Sequence, residues 1–280
     1  MEKRTIGRGV LLGALGGSLA FVFARILTEP IIDRAIAYEE GRDDAQMALD
    51  KAAGKSMDME HGAELFTRAQ QQNVGLGFGM IVFGAALGAL FAVVYFLALR
   101  KSGKISPRNL ALLVSGGMFL VLYAVPFLKY PANPPSIGHP ETIGARTALY
   151  VGMMVISAVV LCAAIWAGRK LAARLDNWTA TVAASAGFVV VMGAVLALLP
   201  SLGHLSANKE YGDFATETPQ PLKDPSGTIV FPGFSADDLY HFRLYSFAAQ
   251  LIVWAVIGVG FAWLAPRLLG DRATETAQAA

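Results

Sequence analysis

The side chains able to do chemistry in this 280-residue chain gather in three polar segments. All four histidines lie there: His61, His139, His204 and His241. Asp237 and Asp238 precede His241 by four and three residues in a stretch that reads as a helix, so both carboxylates share its face. His139 is followed closely by Glu141, and Met57-Asp58-Met59-Glu60-His61 has the composition of a metal-capture tract. Imidazole nitrogen with carboxylate oxygen suits cobalt, nickel or zinc, and thiolate is not required. The candidate metal ligands are therefore His241, Asp237, Asp238, His204, His139 and Glu141. Each also has a plain structural use. Aspartates in a first turn serve the positive end of a helix, a lone interfacial histidine is ordinarily solvated, and the 57–61 tract reads equally as a loop. No spacing reaches the specificity of a zinc finger or a His-Glu-x-x-His site.

Other chemistries are excluded by what is missing. The single cysteine, Cys162, sits in an apolar run, so neither a disulfide framework nor a thiolate site is available. The sequence has no phosphate loop, dinucleotide fingerprint or Gly-x-Ser-x-Gly. A net charge of +2 without a basic, aromatic-rich patch gives no footprint for nucleic acid. No catalytic site and no cofactor are expected.

The elements that must position these groups follow from hydropathy. The chain is 55% hydrophobic and only 16% charged, with the charge crowded between long apolar windows. Crossing the hydrocarbon core takes about 20 apolar residues. Six windows qualify: 9–27, 74–99, 110–128, 147–167, 179–199 and 244–264. The expected fold is an all-α integral membrane protein: one membrane domain over 1–280, a six-helix transmembrane bundle with short cytoplasmic and longer outer loops. Arg25 is the only formal charge inside a window, close enough to one end to snorkel. The polar groups at mid-membrane depth are Tyr95, Ser115, Tyr123, Ser157, Ser185 and Gln250, with no carboxylate among them.

Loop charge sets the direction. Lys3, Arg4 and Arg8 precede the first window; Arg100, Lys101, Lys104 and Arg108 link the second and third without an acid. Arg169, Lys170 and Arg174 follow the fourth, and Arg267 and Arg272 follow the sixth. The segments 28–73, 129–146 and 200–243 are longer, and 28–73 and 200–243 are rich in Asp and Glu. Short basic loops stay in the cytoplasm, so both termini are expected there. A signal peptide cleaved after Val22-Phe23-Ala24 is the rival reading of the first window and would leave five spans.

Gly9, Gly13 and Gly17 form a stripe, and Gly75 with Gly79 and Gly84 with Gly88 repeat its spacing. Small faces let helices approach closely in lipid, so spans one and two are expected to pair. In the first polar segment, Thr28 is expected to cap a helix that Gly41 and Gly54 punctuate. The second is a stiff proline block, and in the third a helix restarts at Ser235-Ala236-Asp237-Asp238 with a capping-box pattern.

Glu29-Pro30-Ile31-Ile32, then Ala35-Ile36 and Glu39-Glu40, resemble the CbtA family of predicted cobalt transporter subunits. So does Leu128-Lys129-Tyr130-Pro131-Ala132-Asn133-Pro134-Pro135, continuing to Gly138, Thr142-Ile143 and Arg146-Thr147. The resemblance runs over most of the chain, and the proline block is its specific part. It implies uptake of cobalt for cobalamin synthesis across a bacterial inner membrane, beside a small single-span, histidine-bearing subunit commonly called CbtB. It carries no ligand set onto these positions. The expected function is thus a Co²⁺ uptake permease subunit. The alternatives are a metal- or partner-binding membrane scaffold or sensor without transport, or a nickel transporter. Ligation needs neutral imidazole, so uptake is expected to weaken as pH falls through about 6.5.

Overall fold

The computed structural model describes residues 2–55, 67–101, 103, 105–206, 208 and 217–278, with backbone alone for 2–3 and 266–278. The helices are α1 (Glu2–Leu27), α2 (Glu29–Ala52), α3 (Arg68–Leu99), α4 (Pro107–Lys129), α5 (Ile143–Leu171), α6 (Asn177–Leu198) and α7 (Ala236–Gln278). All but α2 are long and apolar enough to cross a membrane, which gives the six expected spans. Each of the six begins before its apolar window. Hydropathy marks the lipid-exposed stretch, whereas backbone hydrogen bonding continues until a cap stops it. The start of α3 is set by Thr67, whose hydroxyl accepts from the Gln70 amide while Gln70 Oε1 accepts from the Thr67 amide. Asp176 starts α6 by accepting from the amides of Trp178 and Thr179. π-Helical turns interrupt α3 at Gln71–Gly75 and α4 at Leu120–Ala124.

The chain divides into two compact units: Met1–Asp33, Asp58–Phe119 and Leu244–Ala280 form the first, and Arg34–Met57 with Leu120–Arg243 the second.

In the first unit, α1 meets α3 along the expected glycine seam. A Cβ on Gly13 would overlap the Gly84 carbonyl oxygen, and one on Gly9 would overlap that of Gly88. Gly17 is closed off in the same way by Met80. Gly75 and Gly79 do not join the seam; they border a cavity of about 280 Å³ with Gln250, and nothing lies within 4 Å of a Cβ on Gly79. Phe91, Tyr95 and Phe261 form an aromatic core with ring centroids 4.8–5.9 Å apart. Two of the mid-span polar groups bond to backbone here: Ser115 Oγ donates to Trp254 O at 2.7 Å and the Tyr95 hydroxyl to Pro107 O at 3.2 Å. Arg25 donates to Asn73 Oδ1 at 3.0 Å, a defined partner beyond the snorkelling expected of it.

The second unit packs side chains rather than backbones. Val125, Tyr130, Met153, Phe188 and Met192 form one core, and the Tyr130 hydroxyl donates to Pro200 O at 3.0 Å. Residues Ala35, Ile137 and Phe234 form another. Tyr38 packs at a tilt against Phe231 and edge-on against Phe234, and donates to Pro232 O at 2.9 Å. Gly41 does not break α2; its missing Cβ admits the Phe231 ring at 3.1 Å. Gly54, at φ +70°, ends that helix. Phe231 closes a short antiparallel hairpin, β1 (Leu222–Lys223) with β2 (Ile229–Phe231), in which Leu222 faces Phe231. Asp224 builds its turn by accepting from the amides of Ser226 and Thr228. The proline block has no regular element between Tyr130 and His139, and carries positive φ at Ser136 and Gly138.

Candidate functional site

The predicted ligands at the start of α7 are partly committed to structural work. Ser235 Oγ accepts from the Asp238 amide at 3.2 Å, which is the expected cap. The Asp238 carboxylate, however, accepts from Arg34 Nε and Nη2 at 3.0 and 2.6 Å, so it ties α7 to α2. His241 is exposed and its Nδ1 lies 2.8 Å from the Asp237 carbonyl oxygen. A carbonyl only accepts, so Nδ1 carries the proton and, in the neutral ring, Nε2 the lone pair. His204 is exposed, sharing a hydrogen bond with Ser201 Oγ at 2.9 Å, and Glu141 is exposed in the 3₁₀ turn Pro140–Thr142. Among the described residues, no three His, Cys, Asp or Glu side chains come close enough to hold a metal ion together. His61 and the 57–61 tract lie outside the described residues.

His139 belongs to a buried polar network. Its amide donates to Glu217 Oε2 at 3.2 Å, and its Nδ1 is 2.6 Å from Asn208 Oδ1. Asn208 is 0% exposed and Glu217 4%. Asn208 Nδ2 donates to Glu217 Oε1 at 2.6 Å and to Leu202 O at 2.7 Å. The Thr142 hydroxyl sits 2.9 Å from Glu217 Oε2 and 2.8 Å from His139 O. Arg146 supplies the countercharge, its Nε 3.8 Å from Glu217 Oε2, while its Nη2 donates to His139 O. His139 also lines a cleft of about 290 Å³ with Tyr38, Glu39, Arg42 and Asp43. A second cavity of about 340 Å³, bordered by Tyr123, Arg146 and Tyr150, presents no carboxylate. Of the two, only the first has anionic oxygen beside imidazole.

The first unit holds its own buried carboxylate. Glu29 is 2% exposed and accepts from Arg68 Nη2 at 2.5 Å; the same nitrogen reaches Asp33 Oδ1 at 2.9 Å. Burial pushes the Glu29 carboxyl above its ordinary value of 4.5, and the Arg68 charge pulls against that. Thr28 does not cap α2 through its side chain: its Oγ1 is buried without a hydrogen-bond partner, and the turn is closed by Thr28 O, which accepts from Ile31 and Ile32.

Glu29, Arg68, Glu217 and Asn208 are not foreseen as site residues, because their partners lie 6 to 78 residues away in sequence. One signal points to Glu29 and to the surroundings of Glu217, though not to Arg68, Asn208 or Glu217 itself. Glu29, Gly138, Thr142 and Arg146 all fall within the blocks that carry the family resemblance.

The family described as "Probable cobalt transporter subunit (CbtA)" matches residues 2–266, nearly the whole chain. No curated protein and no solved structure matches it.

Proposed function

The chain belongs to the CbtA family, and from that premise we propose that it is the membrane subunit of a Co²⁺ uptake system, moving the ion inward across a cell inner membrane to supply cobalamin synthesis. The observation that supports this most is the family match over residues 2–266 of a chain with six apolar spans. Both termini lie in the cytoplasm and the long acidic loops outside, where their charge attracts divalent cations. A periplasm-active reporter fused after Asn208 is then active, and one fused after Gly103 is silent.

Capture begins at His241 and Asp237 at the head of α7, with His139, His204 and Glu141 as further ligands. Asp238 contributes when Arg34 releases it. One helix turn cannot surround an ion, and the mid-span hydroxyls of Ser115 and Ser157 are spent on backbone carbonyls. A second subunit therefore completes the coordination: a small single-span, histidine-bearing chain of the CbtB type. The chain does no catalysis and keeps no resident cofactor; Co²⁺ is its cargo. Nickel binds most nitrogen and oxygen sites more tightly, so preference for cobalt rests on geometry and supply.

Radioactive cobalt accumulation at limiting concentration tests this. Cells with the chain accumulate cobalt faster than cells without it, and equal accumulation overturns the proposal. His241→Ala cuts the rate at unchanged protein abundance, whereas a metal-sensing scaffold leaves uptake untouched.

A further inference from the structure

The cavity bordered by Tyr123, Arg146 and Tyr150 joins two chemistries in one lining. Tyr123, Phe127 and Tyr150 supply aromatic rings, the first two stacked with centroids 5.1 Å apart. All three fall inside the apolar windows 110–128 and 147–167. Asn133 and Arg146 supply polar groups, and both fall just outside those windows. The cavity therefore lies where hydrocarbon gives way to headgroups, the level at which aromatic rings gather.

Its hydrogen bonding and its charge are both incomplete. A guanidinium carries a fork of donors, yet among the described residues Arg146 makes a single hydrogen bond, from Nη2 to His139 O at 3.2 Å. Its Nε is buried without a hydrogen-bond partner, 3.8 Å from Glu217 Oε2. Glu217 is already held by the His139 amide, the Asn208 amide group and the Thr142 hydroxyl. The Arg146 side chain is 27% exposed, so a ligand can reach its remaining protons. Arg243 adds a second cation at the rim, its Nη2 donating to Asn133 Oδ1 at 2.8 Å and its Nε to Ala132 O at 3.2 Å. Both of those partners are neutral, and among the described residues no carboxylate pairs with Arg243. With Asn133 Oδ1 taken, its Nδ2 is the end left to donate. Arg146 and Arg243 against Glu217 leave one positive charge in excess at a cavity that no carboxylate lines.

We propose that this cavity binds an acidic phospholipid, whose phosphodiester sits on Arg146 and Asn133 Nδ2 in the field of Arg243 and whose glycerol end lies against Tyr123, Phe127 and Tyr150. A phosphodiester brings the one negative charge that is missing, and its paired oxygens match a guanidinium fork. At about 340 Å³ the cavity is at the small end of ligand pockets, about 300–1,000 Å³. That holds the headgroup end of a lipid and leaves the acyl chains in the bilayer. Bound there, the lipid ties the proline block, through Asn133, to α5, through Arg146. The site takes no part in metal capture, and it stands whether or not the chain carries cobalt.

The test uses the full chain in nanodiscs of phosphatidylcholine, doped with a phosphatidylglycerol that carries a diazirine close to its glycerol. After irradiation, mass spectrometry maps the labelled peptides. Label is expected to concentrate in 120–133 and 143–150. Unlabelled phosphatidylglycerol displaces it, while the same excess of phosphatidylcholine or of inorganic phosphate does not. Arg243→Gln removes the excess charge and lowers the affinity about fivefold. Arg146→Gln made together with Glu217→Gln strands no buried charge and leaves the net charge unchanged. Its loss, about tenfold, therefore reads the guanidinium contact itself. Label spread evenly over the spans, or displaced equally by phosphatidylcholine, overturns the site. Displacement by inorganic phosphate overturns the lipid as its occupant. These readings come from the unmodified chain, so none depends on a variant that folds.

Discussion

Among the described residues, each of the two units buries one glutamate, and the two are neutralised by opposite means. In the first, Glu29 and the neighbouring Asp33 share a single guanidinium, that of Arg68, whose side chain is 32% exposed. In the second, Glu217 sits among fixed hydrogen-bond donors, the His139 amide, the Asn208 amide group and the Thr142 hydroxyl, with Arg146 at 3.8 Å. A shared ion pair can be exchanged, for another cation or a proton, at the cost of one contact. A cage of neutral donors cannot be exchanged piecemeal, and it orients whatever it holds. Helix packing repeats the contrast: backbone against backbone at the glycine seam, interlocked Met, Phe and Tyr side chains in the second unit.

The largest effect is expected at the seam. Gly13→Leu or Gly84→Leu forces backbone apart, which exceeds the about 1–3 kcal/mol typical of overpacking, and folded protein recovered from membranes should fall sharply. Gly138→Ala meets a positive φ and Arg146 Nη1 at 3.1 Å instead, a strain of about 1–3 kcal/mol. Equal yields for all three would erase the distinction between the units.

Arg68→Met comes next. Breaking a pair that leaves a buried charge costs about 3–5 kcal/mol, and the exposure of Arg68 puts the expectation at the lower end. Adding Glu29→Gln should restore most of the loss, as read by thermal unfolding in detergent. If the double variant is no better than Arg68→Met alone, Glu29 is not the group that Arg68 neutralises.

Glu217→Gln should cost about 1–3 kcal/mol, since an amide cannot accept at both of its ends. The equivalent Glu29→Gln should be close to neutral or stabilising. Reversal of that order would contradict the assignment of cage and ion pair.

The smallest effect is a pH dependence. The folded state raises the Glu29 carboxyl above 4.5, so this group's contribution is most favourable below that pH and declines as pH rises through the folded value. Glu29→Gln should flatten the rise in unfolding temperature that the unmodified chain shows as pH falls toward 4.5. An identical slope would show that Arg68 compensates burial fully.

Much of the fold is legible in the sequence because lipid imposes a length rule that hydropathy reads directly. The seam is legible as well, since spacing of four places Gly9, Gly13 and Gly17 on one face. That Gly75 and Gly79 stand aside is not, because spacing says which face is small but not what meets it. The hairpin over 222–231 is written in Asp224-Pro225-Ser226-Gly227, a turn sequence, but its strands are too short to show alternation. At the site, histidines draw attention by rarity, whereas Asn208 and Glu217 are ordinary loop residues until the fold brings them to His139.

The most direct measurement of the central claim is Co²⁺ entry into right-side-out membrane vesicles. With vesicles containing the chain and its partner, loaded with calcein, which Co²⁺ quenches, added cobalt should quench the dye faster than in vesicles lacking the chain. His241→Ala at equal abundance should slow it. Quenching at the same rate with and without the chain would contradict the assignment of this protein as a cobalt transport subunit.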